Sequence, residues 1–140
     1  LIVAHAPPAS LDRYFYFPGV PRQDSLFREV ARAVLKADPE RQDKRALLGM
    51  LREAGVHLID VSLEPLPDGS ELAPFIPGLL RRIRRLDPQR IVLVKPNVYD
   101  EAFDAIRDAG LPVIDARIPF PGSGRQQEFR VAFARAMKSR

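Results

Sequence analysis

A chain of 140 residues has room for one domain with a substantial core, and a single unit spanning 1–140 is expected. Lys and Arg number 22 against 18 Asp and Glu, a net charge of +4 with a pI near 9.8. That excess favours a polyanionic partner such as DNA, although many domains this basic touch none. The lack of Cys excludes disulfides, thiolate metal ligands and a thiol nucleophile.

No apolar stretch approaches the ~20 residues of a membrane span, and no signal peptide is visible, so a cytoplasmic protein without a membrane partner is expected. Leu1 already lies inside an apolar run, so some N-terminal residues are expected to be missing. Nothing in the sequence speaks to oligomeric state.

The first element is the run Leu1-Ile2-Val3-Ala4, which breaks into His5-Ala6-Pro7-Pro8. Three more runs follow the same plan: Val56-His57-Leu58-Ile59 before Asp60, Ile91-Val92-Leu93-Val94 before Lys95-Pro96-Asn97, and Leu111-Pro112-Val113-Ile114 before Asp115. Short continuous apolar runs suit strands buried on both faces, as in a parallel sheet. Pro112 cannot donate to a ladder, which places the fourth run at an edge or makes the strand begin there.

Helical patterns fill the gaps. Asp24 or Gln23 is placed to cap a helix from Ser25 to Leu35, with Leu26, Val30, Ala33 and Val34 at helical spacing. Asp38-Pro39 reads as a cap and first-turn proline for a helix that carries Ala46, Leu47, Met50 and Leu51 on one side and stops at Gly55. Residues 64–77 read as a Pro-rich loop. Further helices are predicted from Gly78 to Leu86, Tyr99 to Ala109 and Gln126 to Lys138. The alternation predicts a three-layer α/β/α domain around a central, mostly parallel four-stranded sheet.

Ligands of open parallel sheets sit at the carboxyl ends of the strands, so the loops after the runs hold the candidate site. His5 is a candidate general base or donor, or a structural histidine bonded to backbone. The run Tyr14-Phe15-Tyr16-Phe17 offers a ring to stack on a flat ligand, or a lid packed on the core. Asp60 can accept from a base's N–H groups or orient water, or cap its loop. Asn97 offers an amide to a base, or a cap for the helix that follows. In Pro119-Phe120-Pro121-Gly122-Ser123-Gly124-Arg125, the glycines permit close approach and Ser123 is a candidate cap. There Ser123, Gly124 and Arg125 make a candidate phosphate site at a helix start, without the Gly-Lys-Ser/Thr of a Walker loop. The run Arg81-Arg82-Ile83-Arg84-Arg85 reads as a solvated helix face outside the site.

Taken together these loops resemble the uracil-DNA glycosylase superfamily. Ala4-His5-Ala6-Pro7-Pro8 looks like the family's first motif, Leu58-Ile59-Asp60 like the strand that ends in its base-reading Asn, and Ile118-Pro119-Phe120-Pro121 like its second motif, His-Pro-Ser-Pro. The resemblance implies DNA as partner, a base flipped into a pocket, stacking on Phe15 or Phe17, and phosphate contacts from Ser123 and Arg125. It implies catalytic duty for His5 and Asp60, base contacts for Asp60 and Asn97, and no cofactor or metal. Three positions depart from the family: His5 stands for its water-activating carboxylate or amide, Asp60 for its Asn, and Ile118 for its leaving-group His. A non-catalytic nucleic-acid or nucleotide-binding domain of the same fold stays open, as does a flavodoxin-like nucleotide or cofactor domain.

Overall fold

The computed structural model describes residues 1–10, 13–19, 24–122 and 124–139. Strand β1 is Ile2–Ala4, β2 is Leu58–Asp60 and β3 is Val92–Leu93; they form a three-stranded parallel sheet in the order β2-β1-β3. Ile2, Val3 and Ala4 lie opposite Leu58, Ile59 and Asp60, and Ile2 and Val3 opposite Val92 and Leu93. The first run is thus the central strand, and its three residues are all buried.

Side chains leave a strand alternately to its two faces, and each face carries its own helices. Ile2, Ala4, Leu58 and Val92 pack with Phe27 and Val30 of α1 (Ser25–Leu35), Leu47 and Leu51 of α2 (Lys44–Glu53), and Phe129 and Phe133 of α5 (Gln126–Lys138). Val3, Ile91 and Leu93 pack on the other face with Leu79 and Ile83 of α3 (Ile76–Leu86) and with Val98, Ala102 and Ile106 of α4 (Pro96–Asp108).

The expected fourth strand is not a regular strand. The fourth run and the segment after it meet the β3 edge at two isolated parallel bridges, Ile91 with Val113 and Val94 with Ile118. Ile91 N–H donates to Pro112 O and Ile114 N–H to Ile91 O, each at 2.9 Å. Around the Val113 bridge and after it the ladder fails for want of donors. Pro112 has none, while the N–H of Val113 turns back to Leu111 O at 2.8 Å and that of Ala116 to Ile114 O at 3.0 Å.

Asp24 caps α1 as expected, accepting from Phe27 N–H at 2.8 Å. The start of α2 is corrected. Asp38 makes a local turn, accepting from Glu40 N–H at 3.1 Å, and the cap is Asp43, whose carboxylate accepts from Ala46 N–H at 2.8 Å. That later start sets the face that packs: Lys44, Leu47 and Leu51 are buried, while Ala46 and Met50 are exposed. At the other end Val56 N–H reaches Leu51 O, Gly55 N–H reaches Arg52 O, and Gly55 has φ 81°. This is the paired closure that wants a glycine.

The stretch expected as Pro-rich loop contains a 3₁₀ turn, Ala73–Phe75, running straight into α3. Helix α4 also begins early. Pro96 is its first residue, since a helix's first N–H needs no partner and proline's fixed φ suits that place. Asn97 therefore lies inside the first turn and does not cap it. Among the described residues no helix is long and apolar enough to cross a membrane.

Candidate functional site

All three strands end at one cleft of about 780 Å³, within the range of roughly 300–1,000 Å³ that holds small ligands. His5 follows β1, Asp60 ends β2 and Lys95 follows β3, and all three line it. Asp24, Ser25 and Arg28 from the start of α1 form another wall, and Arg13, Tyr14 and Phe15 come from the aromatic loop. Phe120 and Gly122 contribute from the segment before α5.

The His5 carbonyl is fixed by Ser62 N–H at 3.2 Å. Its Nδ1 lies 3.4 Å from Lys95 Nζ. An ammonium only donates, so Nδ1 accepts and Nε2 carries the proton in the neutral ring. That Nε2 is buried and without a hydrogen-bond partner. Burial and then the Lys95 charge lower the His5 pKa below its ordinary value of 6.5, against weaker opposing pulls from Asp68 and Glu101. The ring is neutral at pH 7, a donor rather than a cation.

Lys95 is held at φ 89°, ψ 129°, a conformation that side-chain-bearing residues rarely adopt. It is pinned from both sides: its N–H donates to Ile118 O at 2.9 Å and its carbonyl accepts from Val98 N–H at 3.1 Å. Such strain costs on the order of 1–3 kcal/mol and gathers at functional sites.

Asp60 is the other perturbed group. Burial raises its carboxyl from 3.8 to about 6, and the Arg82 charge only partly opposes this. Arg82 does not bond the carboxylate. Its guanidinium donates to the carbonyls of Asp60 and Val61, each at 2.8 Å. Arg82 is therefore no part of a merely solvated face; it clamps the end of β2. No hydrogen bond or ion pair joins His5 to Asp60, and their charged neighbours differ: Lys95, Asp68 and Glu101 for His5, Arg82 for Asp60.

The aromatic run divides by task. Phe15 is 6% exposed and sits edge-on to Phe27 at 5.4 Å between centroids, so it is chiefly core. The Tyr16 hydroxyl donates to Leu58 O at 2.7 Å and accepts from Leu58 N–H at 2.6 Å, covering the open edge of β2. Burial pushes its pKa up to about 12. Phe17 is half-buried and does not line the cleft. Tyr14 does line it, with its pKa raised by burial and by the charge of Asp60.

Of the remaining candidates, Asn97 lies off the cleft wall, its Oδ1 buried without a partner. Ser123 falls outside the described residues. Gly124 (φ 81°) and Arg125 precede α5, Arg125 standing at its cap position without a side-chain cap bond, and neither lines the cleft. Phe120 is 41% exposed and lies so close over Gly122 that a Cβ there would meet its ring at 3.1 Å. Tyr14, Lys95 and Phe120 stand in segments that the sequence marks as candidate loops, whereas Arg13 and Arg28 carry no such signal and reach the wall only through the fold. Among the described residues no group of three or more His, Cys, Asp or Glu is placed to hold a metal. No protein-family model, curated protein or solved structure matches the chain.

Proposed function

We propose that the protein is a divergent relative of the uracil-DNA glycosylases that binds DNA and takes one flipped base into the cleft at the strand ends. In this reading the 111–118 segment serves as the edge strand of a four-stranded sheet. The observation that carries the reading is the pattern of unmet polar atoms. Among the described residues four side-chain atoms are buried without a hydrogen-bond partner, and three of them, His5 Nε2, Asp24 Oδ2 and Arg28 Nε, belong to residues lining this cleft; Asp24 Oδ2 lies 3.6 Å from the Lys44 ammonium, which leaves His5 Nε2 and Arg28 Nε unmet. Each such atom costs about 1–3 kcal/mol unless something bonds it. A polar ligand with acceptors for His5 and Arg28 removes that cost.

Tyr14 and Phe120 offer stacking surface, and Arg13, Arg28 and Lys95 supply positive charge for a phosphate backbone. In hydrolysis of an N-glycosidic bond, water oxygen bonds the sugar carbon while the base departs with the bonding electrons and takes up a proton. The Lys95 charge, held against His5 Nδ1, stabilises that departing negative charge.

The test is incubation with single- and double-stranded oligonucleotides carrying uracil, hypoxanthine, xanthine or a mismatch, followed by alkali. Strand breaks at one lesion, lost in His5→Ala with binding retained, support hydrolysis. Salt-sensitive binding without breaks supports the second reading, a non-catalytic nucleic-acid binder. That reading has its own observation: Ile118, at the resemblance's leaving-group position, is fully buried and has no polar side-chain atom. Neither breaks nor binding overturns both.

A further inference from the structure

We infer that the cleft selects a base whose edge presents two adjacent N–H donors, as guanine's N1–H and 2-amino group do, and that Asp60 is the residue that selects it. The inference rests on the base-binding reading above and names its substrate class.

Asp60 lines the cleft, and among the described residues no hydrogen bond is donated to its carboxylate. The cation nearest in effect, Arg82, spends its guanidinium on the Asp60 and Val61 carbonyls, leaving the carboxylate's oxygens to a ligand. The same clamp fixes the backbone from which the carboxylate projects.

An ionised carboxylate accepts and cannot donate, and its two oxygens lie in one plane. Two parallel N–H groups on a flat ring match it as a guanidinium does, through paired charge-assisted bonds. The edge of uracil or thymine offers one N–H flanked by two carbonyl oxygens, and those oxygens repel the carboxylate. Cytosine offers its amino group beside a ring acceptor, so only one oxygen is satisfied. Hypoxanthine keeps guanine's N1–H but lacks the second donor. The order expected from hydrogen bonding is guanine first, hypoxanthine and cytosine next, uracil last. A buried polar site rejects a ligand that leaves its groups unpaired far better than an apolar pocket rejects a wrong shape.

Single-stranded thymine oligonucleotides with one central guanine, hypoxanthine, cytosine, uracil or abasic residue, titrated at pH 7.5, test the inference. The wild-type protein should bind the guanine strand at least tenfold more tightly than the uracil strand. Asp60→Asn, nearly isosteric and checked for folding by thermal unfolding, should lose most of that ratio, since an amide has one donor and one acceptor. Asp60→Ala gives a second variant that likewise removes the acceptor pair. Equal binding of the four base-bearing strands, each tighter than the abasic strand, or a guanine preference unchanged in both variants, overturns the inference and leaves the base-binding reading standing. Binding equal to that of the abasic strand throughout, or no binding, overturns both.

Discussion

Lys44, the first residue of α2, donates from Nζ to the Tyr14 carbonyl at 2.8 Å and so ties the aromatic loop to the helical layer. The same ammonium lies 3.6 Å from Asp24 Oδ2 and 4.8 Å from the centre of the Phe27 ring. Its side chain is 2% exposed. One buried cation thus joins the loop, the cap of α1 and the start of α2. Burial lowers its pKa, and Asp24 works against that fall.

Lys44→Met should therefore keep the packing and lose the tie. The Tyr14 carbonyl and the Asp24 carboxylate then lose their cation, at a cost of ~2 kcal/mol. Thermal unfolding should show the loss, and amide exchange should speed up in residues 14–17 more than in the sheet. Uniform exchange across the chain counts against a local tie.

Asp60 carries a stability cost at neutral pH, and its sign follows from its pKa. The folded value of about 6 lies above the ordinary 3.8, so between these the folded state holds more proton than the unfolded one. Its contribution therefore falls as pH rises through that window, and a move of this size corresponds to on the order of 3 kcal/mol. Asp60→Asn should stabilise the fold at pH 7, with the gain shrinking toward pH 4. Denaturant unfolding of both proteins at several pH values measures it. The comparison of the two proteins cancels the opposite trend from His5, whose lowered pKa disfavours folding at acid pH.

Lys95 couples backbone strain to the state of His5. Lys95→Gly places at φ 89° the residue that tolerates it, and stability should rise by ~1 kcal/mol. Removing the ammonium also removes the second of the two influences that lower His5, so the His5 pKa should move up toward 6.5. A proton NMR titration of the imidazole reads this directly. Affinity for oligonucleotides should drop, because a cation has left the cleft.

Glu29 holds α1 to α5. Its carboxylate is 1% exposed and bonds Arg130 through Nε at 2.5 Å and Nη2 at 2.9 Å, with Arg32 at 3.0 Å. Burial alone would raise this carboxyl, but the bonds and charges of Arg130 and Arg32 hold it below 4.5. Its contribution is present above the ordinary carboxylate range and is lost as pH falls through the lowered folded value. Glu29→Gln should cost ~2 kcal/mol at pH 7, because both arginines are partly exposed and recover some hydration. Denaturant midpoints at pH 7 should show the loss.

Much of the site's address was legible in the chain. His5 and Asp60 were found because a strand buried on both faces is a local run of apolar residues, and the residue after it stands at the sheet's end. The helix starts were less legible. Asp38 and Asp43 are both good caps, and which of them starts α2 depends on where Lys44, Leu47 and Leu51 can be buried together. Asn97 looked like a cap because sequence alone gives no φ for Lys95.

Local periodicity, fixed by the 3.6-residue and two-residue repeats, determined the α/β alternation, the parallel strands and the loops that meet at the cleft. Only the tertiary structure decided how the cleft is furnished. Lys44 reaches Tyr14 across 30 positions and Arg82 reaches Asp60 across 22. The packing that brings them together also buries Asp60 and strips His5 Nε2 of a partner. Burial and long-range hydrogen bonding are sums over neighbours distant in sequence, and no local pattern encodes them.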